Sequence, residues 1–237
     1  FANWKMDDHI AKAVPAFVGY VRKTTGAPSV TWVGHSMGGI VAIAMLTRYQ
    51  NPGIGKLVAI GSQVTMPDGH LVGQYISTLL TSRQLQLSGQ IDAQKAIETG
   101  QAGVQDMFFN IRNVDPAIYE ALFTWAADVP SVGLMKQYMA LSRTGELTDV
   151  PGRFNYARNL ANVQIPVLFG CGAMDRFAPP NVQKQLHAGV GSTDKSLVFF
   201  GRAQGYQADA GHDDALVGLN SRQQVYPVLE RWISERA

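Results

Sequence analysis

With 237 residues, 46% of them hydrophobic, the chain can bury one sizeable core and carry an inserted subdomain. A formal charge of +2, with Lys and Arg scattered along the sequence, argues against a nucleic-acid groove. No apolar run approaches the roughly 20 residues of a membrane-spanning helix, and neither a Cys/His zinc pattern nor a GxxxxGK[ST] phosphate loop is present, so no metal or cofactor is called for.

A first helix is expected from Asp7 and Asp8, two candidate caps, with Ile10, Val14, Phe17, Val18 and Val21 on one apolar face. Pro15 implies a kink or a true start near Val14. Gly26 and Pro28 end the helix. Ser29-Val-Thr-Trp-Val33 reads as a strand and Ile40–Leu46 as a buried helix. Between them stands Gly34-His-Ser36-Met-Gly38. Gly-x-Ser-x-Gly at a strand-to-helix turn is a nucleophile elbow, which holds the serine in strained geometry above a sheet. Side chains at Gly34 or Gly38 are expected to collide with the neighbouring helix and strand.

Asn51-Pro-Gly53 stops the second helix, and Lys56–Gly61 is a short buried strand. Strands alternating with helices imply parallel pairing with helices on both faces. From about Gln63 to Val163 the rhythm breaks into helical segments: 71–87, 92–99, 117–127 behind the Asp115-Pro116 start, and 130–143 closed by Gly145. This stretch is rich in Met and aromatic residues, which suits either a lid over an apolar pocket or plain helix packing. Phe108, Phe123, Trp125 and Tyr138 are its candidate substrate contacts. Alternation resumes at Ile165–Gly170, followed by a helix over 180–187, the strand Lys195–Phe200 and a last helix carrying Val225, Val228, Leu229, Trp232 and Ile233. The organisation is therefore a core in two parts, 1–62 and 164–237, around an insertion at 63–163. The lone cysteine, Cys171, excludes an internal disulfide and reads as a buried structural thiol.

A serine hydroxyl needs a base, usually a histidine oriented by a carboxylate. Five histidines compete. His35 is expected to point away from the serine, His9 and His70 to be solvated at helix starts, and His187 to face a helix end. His212 lies in a loop between the last strand and the last helix, which in a parallel sheet opens beside the elbow. It is the expected base. Asp175 directly follows a strand, in a loop stiffened by Pro179 and Pro180, and is the expected acid; capping the next helix is its plainer role. Asp68 is the rival. Asp213 and Asp214 lie too close to His212 in sequence to orient it easily.

Taken together, Gly34-His-Ser-Met-Gly-Gly39, Gly172-Ala-Met-Asp175 with Ala178-Pro-Pro180, and Gly211-His212 resemble the α/β-hydrolase superfamily over the whole chain. Asp8-His-Ile, Val14-Pro-Ala, Thr25-Gly26, Thr144-Gly-Glu and Asn155-Tyr look like bacterial lipase/esterase-like members, distantly similar to acid lipases and polyhydroxyalkanoate synthases. The resemblance implies further strands ahead of Phe1, so that the chain reads as a fragment lacking the first strands of the fold. It also implies a loop there that gives a second oxyanion amide; here only the Met37 amide can be assigned. Polyester synthases carry Cys at the elbow, so Ser36 favours hydrolysis, and the Asp of haloalkane dehalogenases is absent. The implied function is hydrolysis of a carboxylic ester, and the apolar insertion argues for a medium or long, lipid-like acyl chain. An acyltransferase or polyester synthase/depolymerase-like enzyme is the alternative, and a non-catalytic binding protein on the same fold is a second. Localisation stays open, with the cytoplasm as default, since a leader would not be visible.

Overall fold

The computed structural model describes residues 3–50, 52–66, 73, 107–122, 125 and 130–236. Four strands, β1 (Val30–His35), β2 (Ile54–Ile60), β3 (Val167–Gly172) and β4 (Lys195–Phe200), form one sheet in the order β1-β2-β3-β4, every pairing parallel. Each strand therefore enters from the same side, and all four carboxyl ends open at one edge. That edge is where ligands meet a parallel sheet.

Side-chain alternation divides the core into two layers. Leu57, Ala59, Val167 and Phe169 face a layer with α1 (Val14–Thr25), α2 (Met37–Arg48) and α5 (Pro180–Gly189). Val58, Ile60 and Leu168 face Val225, Leu229 and Trp232, the last two on α6 (Tyr226–Ser234). The helix α2 is buried from Gly39 to Thr47, which explains its unbroken run of apolar residues.

The α-helix α1 does start at Val14, with Pro15 in its first turn, but the chain ahead of it is helical as well. A short turn at Met6–Asp8 widens into a π-helical turn, His9–Ala13, that runs straight into α1. The wide turn leaves room for a proline ring and needs no amide from it. Of the two candidate caps, Asp8 accepts the Lys5 amide in a capping box, whereas the Asp7 carboxylate receives bonds from Gln137, Tyr156 and the Val150 amide, fastening this stretch to residues far along the chain. Of the expected apolar face, Ile10, Val14 and Val18 are buried, whereas Phe17 and Val21 are exposed on the outer flank.

Within the expected insertion, α3 (Pro116–Ala121) begins as read, with Asp115 accepting from the Ala117 amide ahead of Pro116. Ser131 caps α4 (Val132–Thr144), and Gly145 closes it with φ 74°. Leu134, Met135, Leu141, Leu147, Tyr156 and Val163 share one core with β2 and α2, and Asn162 bonds the Thr47 carbonyl. The expected helices at 71–87 and 92–99 lie outside the described residues. No helix among the described residues is long and apolar enough to cross a membrane.

Candidate active site

The strand ends converge. Ser36 follows β1 directly, with φ 51° and ψ −121°, and is the one non-glycine residue with positive φ among those described. Its amide bonds the Ile60 carbonyl at 2.8 Å, and its carbonyl receives the Gly39 and Ile40 amides and the Ser62 hydroxyl. Trp32 of β1 donates to the Gly38 carbonyl at 3.0 Å, tying strand to helix across the turn. This over-determined backbone holds a strained residue in place.

The glycines around the turn differ from expectation. A Cβ on Gly34 would lie 2.5 Å from backbone atoms of Gly38 and Gly39, so Gly34 is sterically required. Gly38 has open space around it. The second tight position is Gly39, whose Cβ would fall 2.0 Å from the Ser62 hydroxyl. The Cβ direction of Gly38 points into open space, and it is Gly39 that faces Ala59 of β2 and the Ser62 that follows it.

Asp175 stands three residues beyond β3, and His212 lies in the loop after β4. His212 Nε2 is 2.9 Å from Ser36 Oγ, and Nδ1 is 2.9 Å from Asp175 Oδ2. Both His212 and Asp175 are buried. The second carboxylate oxygen, Oδ1, accepts the Phe177 and Ala178 amides at 2.9 and 2.7 Å. Burial of the imidazole disfavours its charged form, but the carboxylates around it, Asp175 foremost with Asp213 and Asp214 behind, together outweigh this, and the net shift of His212 is upward. Under the pair lies Gly61, with φ 57°; a Cβ there would sit 2.9 Å from the His212 ring and 3.1 Å from Asp175 Oδ2. Met37 opens α2, so its amide is among the helix donors without an intrahelical acceptor, next to Ser36.

Phe108 lies 5.8 Å from the His212 ring centre and 5.6 Å from Phe177, and Tyr138 lies 6.3 Å from Phe177. Burial raises the pKa of the Tyr138 hydroxyl, which stays neutral. Trp125 departs from its expected place: it is 85% exposed and makes no ring contact among the described residues. Aromatic richness shows that a segment buries apolar surface, but not which rings turn inward. Phe123, Asp68 and His70 lie outside the described residues. His9 packs beside Trp4, and His187 meets the Lys195 carbonyl.

Phe177 was not singled out from sequence, and Asp214 and His35 were weighed there only for triad roles. Phe177 packs 4.7 Å from the His212 ring centre. Asp214 is fully buried and accepts from the Asn110 amide, the Gly211 amide and the Asn113 side chain, at 2.9, 2.9 and 2.7 Å. With the bond from the Asp213 amide to the Phe108 carbonyl, this bolts the 108–113 segment to the histidine loop. His35 touches His212 directly, at a carbonyl and across the rings. The Asp-x-Phe spacing after β3 was the available clue to Phe177; the others depend on contacts about a hundred or more residues apart in sequence.

His35, His212 and Asp213 bring ligand-type atoms within 4.8 Å of one another. Both ring nitrogens of His212 are already engaged by Ser36 and Asp175, so neither is free to ligate a metal in this arrangement. Cys171 is buried, and burial pushes its thiol pKa up, which makes it unreactive. A cleft of about 950 Å³, lined in part by Phe109, Arg112, Met174 and Arg202, opens on the outer side of the acid loop and not over Ser36.

A family model described as the alpha/beta hydrolase fold matches residues 3–213. The chain belongs to the alpha/beta-hydrolase family. Among solved structures it is similar to an enol-lactonase from Burkholderia xenovorans LB400, with TM-score 0.66 and 12% identity over 98% of this chain and 74% of that one. It is also similar to a thermophilic esterase from Thermogutta terrifontis (TM-score 0.65, 16% identity, 98% and 73%). A third is the esterase EaEST from Exiguobacterium antarcticum (TM-score 0.66, 16% identity, 98% and 75%). At such identities the likeness is one of fold. No curated protein sequence matches the chain.

Proposed function

We propose that the protein is a serine hydrolase that cleaves carboxylic esters with medium or long acyl chains. The observation that carries this reading is the continuous path from Ser36 Oγ through His212 to Asp175, with 2.9 Å at each step. His212 Nε2 takes the hydroxyl proton as Ser36 attacks the acyl carbonyl. Asp175 accepts from Nδ1–H, holds the imidazole in the tautomer whose Nε2 is free to accept, and stabilises the imidazolium. The Met37 amide faces the developing oxyanion; one such donor contributes roughly 2.7–4 kcal/mol to the transition state. The imidazolium then protonates the leaving alkoxide, and water resolves the acyl-enzyme by the reverse proton path.

Phe108, Tyr138 and Phe177 place an apolar aromatic wall beside His212, which supports an apolar acyl or alcohol group over a polar one. In this reading residues 63–163 form the cap over that wall. The esterase and lipase names among proteins of similar fold, including a monoacylglycerol lipase from Paleococcus ferrophilus, favour ester chemistry in the same way.

The test is a series of chromogenic esters of increasing acyl length, run beside fluorophosphonate labelling. Hydrolysis that rises with chain length, and a label on Ser36, are expected. A folded protein that neither labels nor turns over would leave a binding role. With added alcohol, mainly transfer product would point to an acyltransferase.

A further inference from the structure

His35 precedes Ser36 in the elbow, and the chemistry above makes no use of it. Its ring lies against the His212 ring, with centroids 4.8 Å apart and planes inclined by 42°. Its Nε2 lies 3.1 Å from the His212 carbonyl oxygen. A carbonyl only accepts, so this nitrogen carries the hydrogen. Burial, then the neighbouring His212, lowers the His35 pKa to about 4, so the ring is neutral at pH 7. His212, Asp175 and Asp213 are the titratable groups that face it; the Asp213 carboxylate lies 3.8 Å from the same Nε2.

We infer that His35 is a positioning residue: its Nε2–H fixes the His212 backbone carbonyl and thereby places the imidazole between Ser36 and Asp175. The inference rests on the esterase reading. The loop is tied on either side of that carbonyl, through the Gly211 amide to Asp214 and through the Asp213 amide to Phe108. His35 closes the remaining gap. Because His35 and Ser36 are adjacent, the nucleophile and the base are both referenced to one turn. A small tilt of that turn then carries the histidine with it, and the 2.9 Å contact from Nε2 to the hydroxyl is insulated from movement of the sheet. Misplacement of such a group by about 1 Å costs roughly 100-fold in rate.

Two variants separate the hydrogen bond from the ring. His35→Phe keeps an aromatic ring and loses the donor; His35→Gln loses the ring and keeps a donor at similar reach. On a chromogenic ester, His35→Phe is expected to lower kcat by about 10- to 100-fold with KM little changed. It should slow fluorophosphonate labelling of Ser36 by a similar factor. His35→Gln should restore most of both rates. Full kcat in folded His35→Phe, or His35→Gln as impaired as His35→Phe, would overturn the inference. Imidazole nitrogen NMR on the unsubstituted protein tests it without turnover or any variant. An Nε2–H tautomer of His35 at neutral pH is expected, and an Nδ1–H tautomer would refute the clamp. Failure of the unsubstituted protein to label or hydrolyse would instead sink the esterase reading and leave the NMR result standing.

Discussion

Asp175→Asn isolates the acid's role, because the structure dictates how the new amide must turn. Asp175 Oδ1 accepts two backbone amides, from Phe177 and Ala178, and Oδ2 faces His212 Nδ1. If the asparagine placed its NH2 toward the two amides, donors would meet donors. Two buried amides left unpaired cost about 1–3 kcal/mol each, roughly 2–6 kcal/mol together. The oxygen therefore stays with the backbone, and the NH2 turns to His212 Nδ1. His212 must then carry its hydrogen on Nε2, where it donates to Ser36 and cannot accept the proton. At 1.36 kcal/mol per tenfold, the productive tautomer is depleted by roughly 30-fold to 3 × 10⁴-fold. The assay is kcat/KM on a chromogenic ester beside a thermal melt, to show that the fold survives. Activity within threefold of the unsubstituted protein, or an Nδ1–H tautomer of His212 in the variant by NMR, would refute the reasoning.

The pH dependence has a definite sign. Activity needs neutral His212, and the carboxylates around it, Asp175 foremost, raise its pKa above the ordinary 6.5, so kcat/KM should fall on the acid side with a midpoint above that value. By linkage, the stability gained from this pair is complete below the ordinary imidazole pKa and is lost as pH rises through the raised one; thermal melts across that window should show it, and Asp175→Asn should weaken the trend. Gly34→Ala should destabilise the fold by about 3 kcal/mol, because its methyl meets backbone at 2.5 Å, whereas Gly38→Ala should be neutral or stabilising by up to about 1 kcal/mol. Denaturant titration compares the two; equal effects would discount the packing argument. Asp214→Ala removes the carboxylate acceptor of three buried or half-buried donors, so a loss of roughly 3 kcal/mol is expected, with a fall in kcat. Unchanged stability would show that the 108–113 segment is anchored by other contacts.

The strands and the elbow were legible because each is local: Val-Thr-Trp-Val before Gly-x-Ser, or Leu-Val-Phe-Phe before a glycine, carries its own periodicity. The expected positions of Ser36, Asp175 and His212 follow from the topology, since parallel strands deliver every following loop to one edge. What sequence did not reveal is set by neighbours distant in the chain. Gly38 and Gly39 look equivalent until β2 is placed beside α2. Asp214, adjacent to Asp213 and so near His212, gives no sign that it reaches Asn110. The π-helical turn before Pro15 follows no residue pattern. The exposure of Trp125 could not be told from the inward setting of Phe108 by composition alone.

Gly61 has a further consequence. The acid–base pair rests on the one hydrogen this residue offers in place of a side chain, so the floor of the site is bare main chain. Main chain cannot be retuned by substitution. The aromatic wall above the pair can be exchanged for other side chains while the floor beneath stays the same. A lineage on this scaffold can therefore change what it binds far more freely than how far its base stands from its nucleophile.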